Sequence, residues 1–255
     1  MTGGVRLVDL SLEIREGPGV MGAQIQYVGH KESIPEMLRG FPGVTPADLP
    51  DSLGWAHDIL TLSTHSGTHM DAPWHYHPTS EGRASRTIDE MPLEWAYSDG
   101  VVLDMRHKKA GDVISVADLQ KALKKMGYQL KSLDIVLIMT GTDKLWGTPK
   151  YVTEYAGAGR EVTIWLIDQG IRVVGTDAPG WDRPFMYQAK EFQQTHDKSL
   201  IWEGHYAGIE REYFQMEKLA NLDQLPPHGF KVCCFPIKIL RASASWVRPV
   251  AIIKE

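Results

Sequence analysis

Three short apolar runs constrain this chain more than any other feature: Gly100–Met105 (GVVLDM), Asp134–Met139 (DIVLIM) and Ile171–Thr176 (IRVVGT). Each is short, continuously apolar and rich in β-branched residues, and each reads as a buried strand. Helical signals lie between them. Ser115 opens a helix, Asp118 completes a capping box, Leu119, Ala122 and Leu123 mark its inner face, and Gly127 ends it. Arg160–Gln169 reads as a second helix stopped by Gly170. Further strands are expected at Val5–Ile14, Asp58–Leu62, Phe230–Ile239 and Trp246–Ile253. The stretch Gln24–Asp51 reads as irregular, with one short helix near Ile34–Arg39, and its length suits a lid or a substrate-binding arm. Several β runs with few helices between them predict a mixed α/β fold, with a curved sheet or β-barrel-like core and flanking helices. No repeat or low-complexity tract divides the chain, so residues 1–255 are expected to form a single domain.

Composition narrows the function classes. An apolar fraction of 43% and a charged fraction of 23% are those of a globular chain with a real core. A net charge of −5 argues against nucleic acid and anionic membranes as partners, because both select basic patches. The two cysteines, Cys233 and Cys234, are adjacent, and in a strand they face opposite ways and cannot pair with each other. Without a disulfide framework, a reducing compartment is expected. The N-terminus lacks a basic segment followed by an apolar one, and no apolar run approaches a membrane span, so the expected location is cytoplasmic.

Chemistry concentrates in Ser63–Pro78 (STHSGTHMDAPWHYHP), which holds four of the ten histidines: His65, His69, His75 and His77, together with Asp71. Three readings compete: a metal site, a pH-sensing cluster and a solvated loop. A straight strand from 65 to 75 would span about 33 Å, too far for one ion to reach both ends. A continuous helix is opposed by Gly67 and Pro73. Convergence therefore needs a curled backbone, for which Gly67 supplies an unusual conformation and Pro73 a rigid bend. Imidazole with carboxylate suits Zn²⁺, Mn²⁺ or Fe²⁺.

The run from His65 to His75 resembles the H-x-G-T-H-x-D-x-P-x-H signature of the cyclase-like metal-dependent hydrolases, which include bacterial kynurenine formamidase and isatin hydrolase. The resemblance extends along most of the chain. VDLS (Val8–Ser11) is similar to the family's opening strand, and GTDAPGWD (Gly175–Asp182) to its G-x-D-x-x-S-x-D stretch. His205 and Glu217 have the spacing of the family's downstream ligands. The resemblance implies a swivelling β/β/α fold. It implies His65, His69 and Asp71 as metal ligands, His205 and Glu217 as distal ligands, and His75 as the acid/base residue. It implies one or two Zn or Mn ions and a homodimer or homotetramer. His77 has no counterpart in the signature and reads as structural.

The implied activity is hydrolysis of an amide or cyclic amide C–N bond in a small aryl substrate, N-formylkynurenine- or isatin-like. A lactone or ester hydrolase on the same site is the nearest variant. A non-catalytic metal- or ligand-binding member is the reading from another class, and His75 discriminates against it, because a binder has no need of a proton shuttle. Departures fall away from the expected ligands: Gly180 stands at the family's serine, Trp181 at a small aliphatic residue, and Lys218 at the asparagine of Glu-Asn-Leu. Trp55, Trp74, Tyr76, Trp181, Phe185 and Trp202 flank the motifs, and Trp74 and Trp181 are read as substrate contacts in an aromatic-lined pocket. Asp177 and Asp182 are read either as partners that orient a ligand histidine or as loop caps. No G-x-S-x-G elbow, G-x-G-x-x-G or P-loop pattern occurs, so neither serine chemistry nor a nucleotide cofactor is indicated.

Overall fold

The structure is a computed structural model and describes residues 4–17 and 22–255. Residues 1–3, part of the N-terminal stretch read as lacking a leader, lie outside the described residues. The chain divides into two compact units, residues 14–66 and the remainder.

The larger unit carries a nine-stranded mixed sheet. Its strands, in chain order, are β1 (Val5–Asp9), β2 (His69–Asp71), β3 (Tyr97–Asp104), β4 (Ile135–Met139), β5 (Val173–Thr176), β6 (Phe214–Glu217), β7 (Phe230–Cys233), β8 (Ala244–Trp246) and β9 (Val250–Lys254). Their spatial order is β1-β9-β7-β3-β4-β5-β6-β2-β8. The central strands β3 to β6 run parallel, and every other pairing is antiparallel. The three apolar runs are thus neighbours at the heart of the sheet. They are continuously apolar because both faces are covered. Val102, Ile135, Leu137 and Val173 enter one core cluster, while Val101, Leu103, Val136, Ile138 and Val174 enter the other.

The first cluster joins Val8 of β1 and Ala251 of β9 to Met70 of β2, residues from opposite ends of the sheet order. Only a curled sheet brings them together, and this one is curled into a half-barrel. The second cluster is closed by helices α1 (Val116–Met126) and α2 (Arg160–Asp168), through Leu119, Leu123, Val162, Leu166 and Ile167. The capping box forms as expected: Asp118 Oδ2 accepts from the Ser115 N–H at 2.9 Å, and Ser115 Oγ from the Asp118 N–H at 3.2 Å. Gly127 takes the left-handed conformation that stops α1, at φ 66°.

The late strands are shorter than expected. The run from Phe230 ends at Cys233, ahead of Pro236, and the run from Trp246 is split at Pro249. Proline has no N–H to give the ladder. The two halves of that second run even pair at opposite ends of the sheet, β8 beside β2 and β9 between β1 and β7.

The unit of residues 14–66 is built on an antiparallel pair, Ala23–Val28 against His57–Leu62, and a helix at Ile34–Gly40. The first of these strands falls in the stretch read as irregular. Among the described residues no helix is long and apolar enough to cross a membrane, and both cysteines are free.

Candidate metal centre

The centre arises from the register between β2 and β6. Glu217 pairs with His69, Met216 with Met70, and Gln215 with Asp71. Successive strand residues point to opposite faces. His69, Asp71, Gln215 and Glu217 therefore share one face, while Met70 and Met216 go to the apolar core on the other. A slip of one residue would bury the polar set in the core and expel the methionines.

Two sets of donor atoms result. In the first, His69 Nε2 lies 3.1 Å from Asp71 Oδ1 and 3.6 Å from Glu217 Oε2. In the second, His205 Nε2 lies 3.8 Å from Asp71 Oδ2 and 3.4 Å from Glu217 Oε1. Each carboxylate thus turns one oxygen to each set. All four side chains are buried.

The rest of the arrangement orients these groups. His69 Nδ1 donates to the Gly67 carbonyl at 3.0 Å, which leaves Nε2 for the centre. Gly67 itself sits at φ 62°, the unusual backbone the curl requires. His205 stands on a short helix, Glu203–Tyr206, whose start is held by Asp182. Asp182 accepts from the Gly204 N–H at 2.7 Å, from the His205 N–H at 3.1 Å and from His205 Nδ1. Burial opposes a charged His205, but hydrogen bonds with Asp182, Asp71 and Glu217 raise its pKa well above the usual histidine value. For Glu217, burial and the Asp71 charge push the carboxyl up, and His205 and Lys218 outweigh them and hold it below the usual range. Lys218 is itself buried, at φ 60°, with Nζ 3.9 Å from Glu217 Oε2 and 3.4 Å from His69 Nδ1. Burial lowers its pKa.

Gln215 occupies the second set. Its Nε2 lies 3.1 Å from Asp71 Oδ2, 2.9 Å from Glu217 Oε1 and 2.7 Å from His205 Nε2, and the Tyr213 hydroxyl donates to its Oε1 at 3.0 Å.

The first set fits a divalent ion. Ligand bonds of about 2.0–2.2 Å at ordinary coordination angles separate donor atoms by about 3.0–3.6 Å, and the measured spacings are 3.1 and 3.6 Å. One imidazole and two carboxylates, buried together, are also a donor set that suits a divalent cation.

Residues 8–183 match the family model Cyclase, described as "Putative cyclase". The chain belongs to the cyclase family. A kynurenine formamidase from Erythrobacter litoralis is 28% identical over 199 residues, covering 77% of this chain and 76% of that protein. An isatin hydrolase from Roseibium aggregatum is 25% identical over 279 residues, covering 99% of this chain and 96% of that protein. The crystal structure of an isatin hydrolase bound to the product analogue thioisatinate shares the fold, with a TM-score of 0.75 at 22% identity over 98% of this chain and 93% of that one. This member of the cyclase family is a hydrolase.

Of the residues singled out in the sequence, His69, Asp71, His205 and Glu217 meet in the centre. His75 stands beside it on a short helix, Pro73–Tyr76, with Nε2 3.9 Å from Asp71 Oδ2 and its side chain 26% exposed. Pro73 starts this helix and provides the bend. His65 belongs to the other unit, half-buried at its C-terminal end, with its N–H on Ser63 Oγ at 3.1 Å. His77 bonds Thr79 locally. Asp177 caps a loop, accepting from the N–H groups of Thr140 and Gly141. Burial pushes its carboxyl up to about 7, against those donors.

The aromatic residues divide differently from the expectation. Trp74 is exposed. The Trp181 ring, expected at the substrate, is instead packed in the core with its indole N–H on Thr163 Oγ1 at 2.9 Å; only its backbone N–H reaches Glu217 Oε1, at 3.0 Å. Trp202 takes the place beside the centre, stacked on His205 at 4.2 Å between ring centroids and edge-on to His75 at 5.2 Å. Gln215 carried no motif. Strand parity with Glu217 was the one signal that could have found it.

Proposed function

We propose that the chain hydrolyses the C–N bond of a small aryl amide or cyclic amide, N-formylkynurenine- or isatin-like, with one divalent ion, Zn or Mn, held by His69, Asp71 and Glu217. The observation that carries this is the ligand-like spacing of those three buried donors. A bound ion supplies Lewis acidity there, bringing the pKa of a water toward neutral and polarising a carbonyl.

The chain's own residues do the rest. His75 moves the proton: its Nε2 faces Asp71, and its partial exposure lets the ring exchange protons with solvent. Transfer from Nε2 to the leaving nitrogen contributes on the order of 10²–10⁴ in rate. The edge of Trp202 fixes the ring's tilt. Asp71 anchors both the ion site and His75, and so sets the distance between them. Gln215 fills the second donor set with its amide N–H groups, which supports one ion rather than two.

Metal analysis and turnover of an aryl amide and lactone panel by two variants test the division of roles. His69→Ala is expected to lose metal and activity together. His75→Ala is expected to keep its metal and lose about 10²–10⁴ in turnover. Loss of metal in both variants would show His75 to be a ligand. An inert wild type that binds its metal tightly would refute the hydrolase reading.

A further inference from the structure

Gly180 has no structural reason to lack a side chain. Its φ lies outside the left-handed region, and a Cβ there would meet nothing closer than 3.4 Å, an ordinary contact. Nearby glycines differ. A Cβ on Gly157 would come within 1.9 Å of the Arg183 backbone, and one on Gly208 within 2.3 Å of the Tyr76 ring. At Gly180 neither backbone nor packing imposes the glycine, and what the absent side chain leaves is open space.

Three oxygens wall that space, and one of them is a donor. The missing Cβ would stand 3.4 Å from the Tyr155 hydroxyl and 3.9 Å from both the Asp182 carbonyl and Glu217 Oε1. Gly180 is partly exposed, so the space opens outward from a buried ligand carboxylate. Tyr155 is only 9% exposed, and its hydroxyl bonds to no other group among the described residues. Four positions earlier, the fully buried Tyr151 hydroxyl also has no hydrogen-bond partner among the described residues, and the charges of Asp177 and Glu217 act on it. A buried hydroxyl left without a partner is costly. The Tyr155 hydroxyl, at the wall of that space and open to it, offers its O–H to a group that is not part of the chain.

We propose that the space over Gly180 receives a hydrogen-bond-accepting oxygen of the substrate, with Tyr155 as its donor and Gly180 as the residue that keeps the space open. Both are specificity residues of the proposed reaction, and the assignment rests on that reading. The substrate class is then an aryl amide or ester with an acceptor oxygen close to the scissile bond. The phenol stays protonated, since burial and the Glu217 charge raise its pKa further.

Tyr155→Phe removes one oxygen, and Gly180→Ala adds one methyl without backbone strain. Metal-loaded wild type, both variants and the double variant are compared for metal content, melting temperature, kcat and KM on the best substrate of the panel, and affinity for benzohydroxamic acid as an aryl amide probe. Tyr155→Phe is expected to raise KM and weaken probe binding about 3–10-fold, the worth of one neutral hydrogen bond. Gly180→Ala is expected to weaken both by at least as much. In the double variant the hydroxyl's loss adds little, because the methyl has already displaced its partner. Metal content and melting temperature stay at wild-type values. Wild-type affinity and KM in both variants, additive effects in the double variant, or no probe binding by the wild type would overturn the proposal. So would metal loss, which would make these residues part of the ion's own shell. A wild type that turns over nothing but binds the probe through Tyr155 and Gly180 would refute the reaction and leave this subsite standing.

Discussion

Replacing Gln215 with alanine is expected to change how many ions the chain holds. The Gln215 amide donates to Asp71 Oδ2 and Glu217 Oε1, so it stands where a cation would. Without it, Asp71 Oδ2, His205 Nε2 and Glu217 Oε1 still converge, at separations of 3.8 and 3.4 Å. Donors around a tetrahedral ion with bonds of about 2.1 Å lie about 3.4 Å apart. The vacated position therefore has ligand spacing within a few tenths of an ångström. Hydrogen bonds to charged groups are worth about 1.5–3 kcal/mol each. Losing two should cost metal-free Gln215→Ala about 3–6 kcal/mol, or a melting temperature lower by roughly 6–24 °C at about 2–4 °C per kcal/mol for a chain of this size. Saturation at a hundred times the second Kd should return about 2.7 kcal/mol of that. Metal content after dialysis, with calorimetric titration, should read one ion per chain for wild type and two for Gln215→Ala. Gln215→Met, which fills the space without donating, should stay at one. A folded Gln215→Ala that takes up a single ion at saturating Zn and Mn would show that the amide does not substitute for a cation.

Other expectations follow from single contacts. Asp118 is held at about 2 although burial opposes it, because the Ser115 N–H and hydroxyl and Lys108 favour its carboxylate. Its contribution is present above the unfolded carboxylate pKa of about 3.9 and disappears as pH falls toward 2. Denaturation should therefore find Asp118→Asn less stable than wild type at pH 6, with the gap closing between about pH 4 and pH 2. Trp202→Ala should keep metal content and lower kcat several-fold by freeing the His75 ring, and an unchanged kcat would remove Trp202 from the site. Met216→Ala, at a fully buried position, should cost about 2–5 kcal/mol in chemical denaturation. It should also weaken metal binding, because its strand neighbours are Gln215 and Glu217.

What the sequence made legible follows from how local each signal is. The central strands and α1 announced themselves through apolar runs and a capping box, which need no distant partner. Strand β2 did not, because three residues in a stretch rich in histidine and proline carry no period. It is a strand only because β6 and β8 pair with it on either side. The donors His69 and Asp71 were readable in the histidine segment itself, and His205 and Glu217 only through the family resemblance. Gln215 and Trp202 were not, since an amide and an indole acquire a role here only through what lies opposite them. The fate of Trp181 shows the converse: aromatic character beside a motif does not say which way a ring points.

The register of β2 against β6 also has a consequence in time. During synthesis His69 and Asp71 leave the ribosome about 150 residues before Glu217, which at about 5–20 residues per second is a wait of roughly 8–30 s. Throughout that interval His69 and Asp71 stand without the carboxylate that β6 brings across from them. The three-donor set is complete only when β6 docks. Any error in the pairing of β2 with β6 would therefore leave the donor set incomplete, so the site is the product of one late folding step.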